Sequence, residues 1–227
     1  MSTILKIVHK VLLAYTFVYA GGLFAKTQAK TSVDVSAAIE ILNRYTKDAG
    51  SQIQVQMSTE KKSIGTKNIS QGRVTVVPGK INITIEGDKK SEMIFDGTKA
   101  FFISYPDMDL DPTGKRKVVQ IKSKGKNHIN LLSNLFGNPK KFFSAFDISK
   151  KNLNPDEYEL VLKDKKNEIK PMTLVFSKTI LTLNKISYLD DVDTEINIQL
   201  DKPKFPKSIS KNLFKYTKKK NDEEVVE

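Results

Sequence analysis

The residues from Gly72 to Tyr105 constrain the fold most, because apolar and polar side chains alternate along them. The stretch reads GRVTVVPGKINITIEGDKKSEMIFDGTKAFFISY. Alternation with a period of two places one set of side chains on one face of a sheet. Pro-Gly, Gly-Asp and Asp-Gly dipeptides end the runs and supply the backbone angles of tight reversals. The stretch therefore predicts a β-meander with one apolar face.

Similar runs occur on both sides of this meander. Strands are predicted at 52–61, 70–77, 80–87, 91–96, 99–105, 117–122, 147–153, 158–164, 172–177, 181–189, 192–200 and 212–216. Consecutive short strands joined by tight turns favour one strongly curved antiparallel sheet or barrel. The predicted class is mainly β (α+β), with helices that cover the mouth of the curved sheet.

An amphipathic helix is predicted before the first strand, over residues 32–50. Its apolar face holds Val35, Ala38, Ile39, Leu42 and Tyr45, which follow helical spacing. A serine or aspartate at 32 or 34 can cap its start, and the glycine at 50 can end it. The helix needs an apolar partner, and the sheet supplies one.

A second helical segment, 128–137, interrupts the strands and reads HINLLSNLFG. Gly137-Asn138-Pro139 ends it, and Pro139 can open a short helix that carries Phe142, Phe143 and Phe146. The segment has two interpretations from sequence alone. It is either one more element of the core or an apolar lid that moves against the sheet.

The first 29 residues differ from the rest of the chain. A basic start is followed by VLLAYTFVYAGGLFA and then by small residues, with Ala25 and Ala29 as candidate cleavage points. This order predicts a secretory signal peptide; a membrane anchor is the alternative, but the apolar run is shorter than the roughly 20 residues of a spanning helix. The predicted organisation is a signal peptide at 1–29, a domain at 30–217 and a charged tail at 218–227.

The residue types argue against catalysis. There is no cysteine, and the two histidines are His9, in the predicted leader, and His128, so Cys/His zinc sites and His-based triads are excluded. Asp107, Asp109 and Asp111 alternate in one loop, but the glycine and distal glutamate of a calcium loop are missing. We therefore expect no catalytic residue, no metal and no cofactor, and the protein is expected not to be an enzyme.

The chain carries a formal net charge of +12. In an exported protein this excess suggests anionic partners such as lipid headgroups or acidic proteins, with nucleic acid excluded by the compartment. The lysines are scattered between strands, and solvated strand faces and turns account for most of them. A curved sheet with an apolar interior and no reactive groups is suited to a carrier.

The order of these segments resembles the LolA family, the periplasmic carriers of outer-membrane lipoproteins. The residues that carry the resemblance are 72–78 (GRVTVVP), 79–83 (GKINI), 93–97 (MIFDG), 101–105 (FFISY), 173–176 (TLVF), 186–190 (ISYLD), 194–200 (TEINIQL) and 214–217 (FKYT). The resemblance implies an incomplete, strongly curved antiparallel β-barrel whose helices form a lid over an apolar cavity.

The sequence departs from the best-known branch of this family within the meander. That branch carries Arg directly before the Pro, where it is tied to lid closure and one-way handover of cargo. Here Val77 precedes Pro78, and Ile81 and Ile83 replace aromatic residues of the cavity. Arg73, four residues before Val77, is expected to face the same side of the strand. The resemblance thus implies an apolar cavity without the Arg contact.

By this resemblance, the chain is a monomeric periplasmic chaperone that holds lipoprotein acyl chains and carries them from the inner to the outer membrane. The implied partners are an inner-membrane ABC-type release complex and an outer-membrane lipoprotein receptor. The candidate cargo-contacting residues are Ile39, Leu42, Ile81, Ile83, Leu132, Leu135 and Phe136. The alternative is a lipid- or lipoprotein-sensing interaction domain of the same half-barrel fold without a transport role. A third hypothesis, an enzyme such as a lipid hydrolase, has no nucleophile–base pair in the sequence to support it.

Overall fold

The sheet and its helices are built from the residues that the computed structural model describes, 34–226 apart from 62, 88–89, 108, 112, 122–127, 191–192 and 221. The predicted signal peptide lies outside them. The helices are α1 (Ser36–Tyr45), α2 (His128–Gly137) and α3 (Pro139–Ser144), with a 3-10 turn at Lys211–Phe214. The strands are β1 (Ser51–Lys61), β2 (Thr66–Val77), β3 (Lys80–Glu86), β4 (Ser91–Phe95), β5 (Ala100–Ser104), β6 (Lys117–Ile121), β7 (Phe146–Asn154), β8 (Glu157–Asp164), β9 (Met172–Ser177), β10 (Thr182–Leu189), β11 (Thr194–Leu200) and β12 (Glu223–Val226).

All described strands join one sheet in the order β12-β6-β5-β4-β3-β2-β1-β11-β10-β9-β8-β7. Neighbours run antiparallel except β12 and β6, which are parallel. Two meanders, β1–β6 and β7–β11, meet where β1 pairs with β11 and Val55 lies opposite Leu200. The sheet is open, with β12 and β7 at its edges, which confirms the predicted mainly β class and its incomplete closure.

Contacts between the helices and the sheet require strong curvature. Helix α2 contacts β3 and β4, α3 contacts β7, and α2 and α3 are joined through Asn138. In a flat sheet, the eight strand spacings from β4 to β7 would span roughly 38 Å. The two short helices together reach only about 24 Å. The sheet therefore bends around them.

Glycine at two positions allows the backbone to approach closely. Gly50, just before β1, has φ +96°, and a Cβ there would lie 2.1 Å from the Val76 carbonyl oxygen. At Gly72, in the middle of β2, a Cβ would lie 2.3 Å from the Thr84 oxygen on β3. Any side chain at either position would push strands apart.

Three sequence expectations differ from the structure. Helix α1 ends at Tyr45 rather than near Gly50, because a turn at 46–49 leads into β1. The predicted strand at 212–216 is wrong, since the residues form the 3-10 turn, whose start is capped by the Ser210 side chain. The segment expected to be a charged tail contributes β12 to the sheet.

Residues 201–204 continue alongside β1. The residues 211–220 and 222, called the C-terminal strap, then cross the outer face of the first meander and lead into β12 at its edge. Asn82, on that face of β3, donates from Nδ2 to the Leu213 carbonyl oxygen at 2.7 Å. The rings of Tyr216 and Phe101 lie 4.8 Å apart. Arg116 holds Asp222 through two hydrogen bonds, at 2.8 and 2.6 Å. The strap therefore buries polar and apolar side chains that alternation alone would leave exposed.

Within the described residues, no helix has both the length and the apolar character needed to cross a membrane.

Candidate functional site

The inner face of the sheet presents one continuous apolar row across six strands. Cross-strand partners in an antiparallel sheet share a face, and successive pairs link the row from β1 to β6. Its members are Ile53, Val74, Ile83, Met93, Phe102 and Val119. The first three are buried, whereas the last three are half-buried. The apolar face thus continues beyond the part that the helices cover.

The helices cover this face with aliphatic and aromatic side chains. Helix α1 buries Ala38, Ile41, Leu42 and Tyr45. The Tyr45 ring lies 5.4 Å from the Phe136 ring of α2, and Phe142 of α3 lies 4.9 Å from Phe146. Such contacts are non-directional. They close the space without fixing one geometry through hydrogen bonds.

All seven predicted cargo-contacting residues come together in this layer. Leu42, Ile81, Ile83, Leu132, Leu135 and Phe136 belong to one buried cluster, and the partly buried Ile39 packs against it. Their contact with cargo stays a prediction. Leu135 is 0% and Phe136 2% exposed, so an acyl chain can reach them only if the helices move away from the sheet.

Sequence reasoning missed the half-buried rim of the layer. Met57 on β1, Met93 on β4 and Ile196 on β11 pack against the main cluster while remaining partly exposed. Strand alternation places Met57 on the same face of β1 as Ile53 and Val55, so the sequence did indicate that Met57 faces the helices. Its partial exposure depends on where the helices end, which local sequence does not specify.

Tyr45 makes a buried polar contact between α1 and the sheet. Its hydroxyl accepts a hydrogen bond from the Leu183 backbone N–H at 3.0 Å. Burial raises the pKa of Tyr45 to about 12, against smaller lowering effects of the Leu183 N–H and of Arg44. The hydroxyl therefore stays neutral under ordinary conditions and serves as a structural acceptor.

The position that precedes Pro78 lies away from the apolar row. Val77 is half-buried at the end of β2, and a Cβ at Gly50 would lie 2.9 Å from its Cγ1. Arg73 is exposed, and alternation along β2 puts it on the outer face with Val77. Neither residue is therefore on the face where α1–α3 pack.

A polar cavity of about 420 Å³ lies beside the loop between β5 and β6, away from the buried layer under the helices. It is lined by Ser104, Tyr105, Pro106, Asp107, Asp111, Thr113, Gly114, Lys115, Lys117 and Glu223. The Asp107 carboxylate accepts backbone hydrogen bonds from Asp109 and Leu110 at 3.0 and 3.3 Å, so it stabilises the turn itself. Among described residues, no group of three or more His, Cys, Asp or Glu side chains could hold a metal ion.

Comparison with protein families gives a match over most of the chain. The model described as "Outer membrane lipoprotein carrier protein LolA" matches residues 49–217, which include every described strand except β12. None of the curated proteins matches this sequence.

Crystal structures with a similar fold are distant in sequence. A LolA superfamily protein from Nitrosomonas europaea is 10% identical, with a TM-score of 0.42, over 81% of this chain and 98% of its own. A DUF1329 family protein from Desulfovibrio piger is 13% identical, with a TM-score of 0.43, over 79% and 95%. A conserved protein from Thermus thermophilus is 12% identical, with a TM-score of 0.48, over 84% and 99%. At these values they say nothing about the ligand of this chain.

Proposed function

This chain belongs to the LolA family of outer membrane lipoprotein carrier proteins, and from that we propose that it is a periplasmic carrier of lipoproteins. It binds their acyl chains between its helices and its sheet and moves them from the inner to the outer membrane. The leader at 1–29 directs export. The protein binds cargo without chemical conversion.

The observation that carries this proposal is the apolar row that continues past the helices. Met93, Phe102 and Val119 are half-buried on the same face as the buried Ile83. Acyl chains that enter beside these residues would meet apolar surface from the outset. The buried candidates, such as Leu135 and Phe136, are then reached as α2 moves.

The energetics favour a protein cavity over free diffusion. Each buried CH₂ contributes about 0.8 kcal/mol, so a lipid with several acyl chains does not leave a membrane for water unaided. An apolar layer replaces the membrane environment. Non-directional contacts such as that between Tyr45 and Phe136 can be exchanged for contacts with acyl chains at little net loss.

Two further partners belong to this proposal. An inner-membrane ABC-type complex supplies the cargo, and an outer-membrane receptor accepts it. With Val77 before Pro78, no Arg is available at that position to hold the lid. We propose that cargo release follows from a better apolar site on the receptor.

The test measures binding of a synthetic triacylated lipopeptide to the purified chain that starts at residue 30. Phe102→Ser and Val119→Ser remove apolar surface from the half-buried end of the row. We expect Phe102→Ser to weaken binding about tenfold or more, because a buried Phe contributes about 1.5–3 kcal/mol. Val119→Ser should weaken it less.

Val77→Ser is the matched control, since Val77 and Val119 are the same residue type and both are half-buried. It should retain wild-type affinity. Circular dichroism checks that each variant is folded. Equal affinity of Val77→Ser, Val119→Ser and Phe102→Ser would overturn the assignment of the binding face.

Transfer separates the carrier from a lipid-sensing module of the same fold. A carrier loaded with lipopeptide should deliver it to outer-membrane vesicles, and mass spectrometry of the vesicle lipids measures delivery. Binding without delivery would support the sensing alternative.

A further inference from the structure

Four large apolar side chains are exposed at the same end of the sheet. Leu153, Ile180, Leu181 and Phe205 are 43%, 51%, 48% and 49% exposed; we call them the apolar patch. Leu153 lies beside the β7–β8 turn, Ile180 and Leu181 form part of the β9–β10 turn, and Phe205 follows β11. In an antiparallel sheet these turns all lie at one end.

Direct contacts hold the segments of the patch together. The Lys178 N–H donates to the Asp156 carbonyl oxygen at 2.7 Å, which joins the two hairpin turns. Arg44 donates to the Leu181 carbonyl oxygen at 3.3 Å. The Phe205 ring lies 6.4 Å from the Tyr45 ring. The patch is thus one surface around the C-terminal turn of α1.

The fold itself does not call for leucine at position 181. Leu181 has φ +52°, a left-handed conformation that Gly or Asn adopts more readily than a branched apolar side chain. Its side chain is also nearly half exposed, so burial does not offset the backbone strain. An apolar residue here is better explained by something that it contacts outside the molecule.

Cationic side chains surround the patch and outnumber the acidic ones. The exposed basic residues of these segments are Arg44, Lys47, Lys178, Lys202, Lys204 and Lys207. The acidic residues are Asp48, Asp156, Glu157 and Asp201, of which Glu157 is half-buried and accepts hydrogen bonds from Asn154 and Asn184. Asp156 also accepts a hydrogen bond from the Thr179 hydroxyl at 2.8 Å. The rim therefore complements an anionic surface.

We propose that the apolar patch docks on the surface of an anionic phospholipid bilayer. Its four side chains enter the headgroup region, and the surrounding Lys and Arg residues lie against the lipid phosphates. Apolar side chains combined with a basic rim are the pattern that binds such an interface. The site is separate from the apolar row and does not rest on the proposed cargo.

A single tryptophan tests this directly, because the chain contains none. Phe205→Trp, in the chain from residue 30, places the probe in the patch; the compact unit of residues 33–227 is intact in it. We expect a blue shift of its emission when vesicles of phosphatidylglycerol and phosphatidylethanolamine are added. Phosphatidylcholine vesicles should give a smaller shift, and added salt should reduce it.

Leu110→Trp is the control, since Leu110 is 83% exposed at the opposite end of the sheet. Its emission should not change. Leu181→Asn removes apolar surface and suits the backbone, so the variant should fold while binding vesicles about tenfold more weakly; Leu110→Asn should bind as wild type.

Three results would overturn the proposal. They are no shift of Phe205→Trp with anionic vesicles, equal shifts of both tryptophans, and equal loss in Leu181→Asn and Leu110→Asn. Lipopeptide binding of the same proteins is measured in parallel. If the wild-type chain and Phe205→Trp bind lipopeptide but do not dock on anionic vesicles, the docking surface alone is refuted. If they dock on vesicles but do not bind lipopeptide, the proposed cargo alone is refuted.

Discussion

Tyr45 links α1 to α2, to β10 and to the segment that follows β11. Its ring lies between Phe136 of α2 and Phe205 of the patch, and its hydroxyl accepts the Leu183 N–H. The strand pairing shifts register between Leu183 and Lys185. Because of this irregularity, the Leu183 N–H bonds to the Tyr45 side chain instead of to a neighbouring strand.

We expect Tyr45→Phe to lower the free energy of unfolding by about 1–3 kcal/mol. The substitution leaves the N–H of Leu183, which is 0% exposed, without its acceptor, and an unpaired buried donor costs about that much. Urea unfolding followed by circular dichroism measures the change.

Tyr158→Phe is the matched control for this measurement. Tyr158 is 4% exposed, and its hydroxyl has no hydrogen-bond partner among the described residues. Its removal should be neutral or slightly stabilising. A similar loss in both variants would show that the Tyr45 hydroxyl has no special part in the fold.

Alkaline pH should destabilise the protein through its buried tyrosines. Burial raises the pKa values of Tyr45, Tyr158 and Tyr188 from 10.0 to about 12. The unfolded chain therefore loses these protons first. Their stabilising contribution is complete below pH 10 and is lost as the pH rises through about 12.

The measurement is urea unfolding at several pH values between about 9 and 12, with phenolate absorbance recorded in parallel. The pH dependence should be shallower in Tyr45→Phe than in wild type. An unchanged slope would contradict the raised pKa of Tyr45.

At the scale of single residues, the sequence identified which positions are apolar and face the interior, but not which of them fill the core and which stay half-buried. Alternation placed Ile83 on the inner face of the sheet, and helical spacing placed Leu135 on the apolar face of α2. The difference between a filled core position and a half-buried one such as Met57 depends on the ends of helices from elsewhere in the chain. Leu181 gave no sequence signal, since its strained backbone is visible only in three dimensions.

Among the elements, the meander and the short helices α2 and α3 were predictable because their signals are local. α2 has the predicted bounds 128–137, and Pro139 opens α3 as expected, with Asn138 accepting the Lys141 N–H. The 3-10 turn and β12 were missed. Residues 223–226 read EEVV, which is too short to predict a strand, and their partner β6 lies about a hundred residues away.

The attachment of β12 should depend on the Arg116–Asp222 pair. The Asp222 side chain is 1% and the Arg116 side chain 12% exposed, and hydrogen bonding to Arg116 holds the pKa of Asp222 well below its usual value. Asp222→Ala should lower stability by about 1–3 kcal/mol, because it leaves the partly buried Arg116 guanidinium without its carboxylate and removes the hydrogen bonds from Tyr216 and Lys219. Hydrogen exchange should show faster exchange in β12 and β6.

Lys218→Ala is the control, as it removes the more exposed pair with Glu224. Such surface pairs contribute about 1 kcal/mol or less. Protection of β12 that survives Asp222→Ala would mean that backbone pairing and the Tyr216–Phe101 contact suffice to hold the strap.

At the scale of the whole molecule, the curved sheet and its helical cover were predictable, while the order of the strands was not. Consecutive antiparallel strands follow from tight turns. β1 pairs with β11, and β12 pairs in parallel with β6. Both pairings join segments far apart in the sequence, and no local pattern specifies them. The strap over the outer face follows from the second of these.

The pairing of β1 with β11 affects how the chain folds, because it joins the first and the eleventh strand of the sequence. Val55 lies opposite Leu200, so the central pairing of the sheet must wait until nearly the whole polypeptide is available. Loop closure over such a distance is entropically slow, and folding rates fall as contacts become more distant in sequence. Until then the first meander exposes an unpaired edge that invites aggregation. A chain with this topology gains from being kept extended until its last strands emerge.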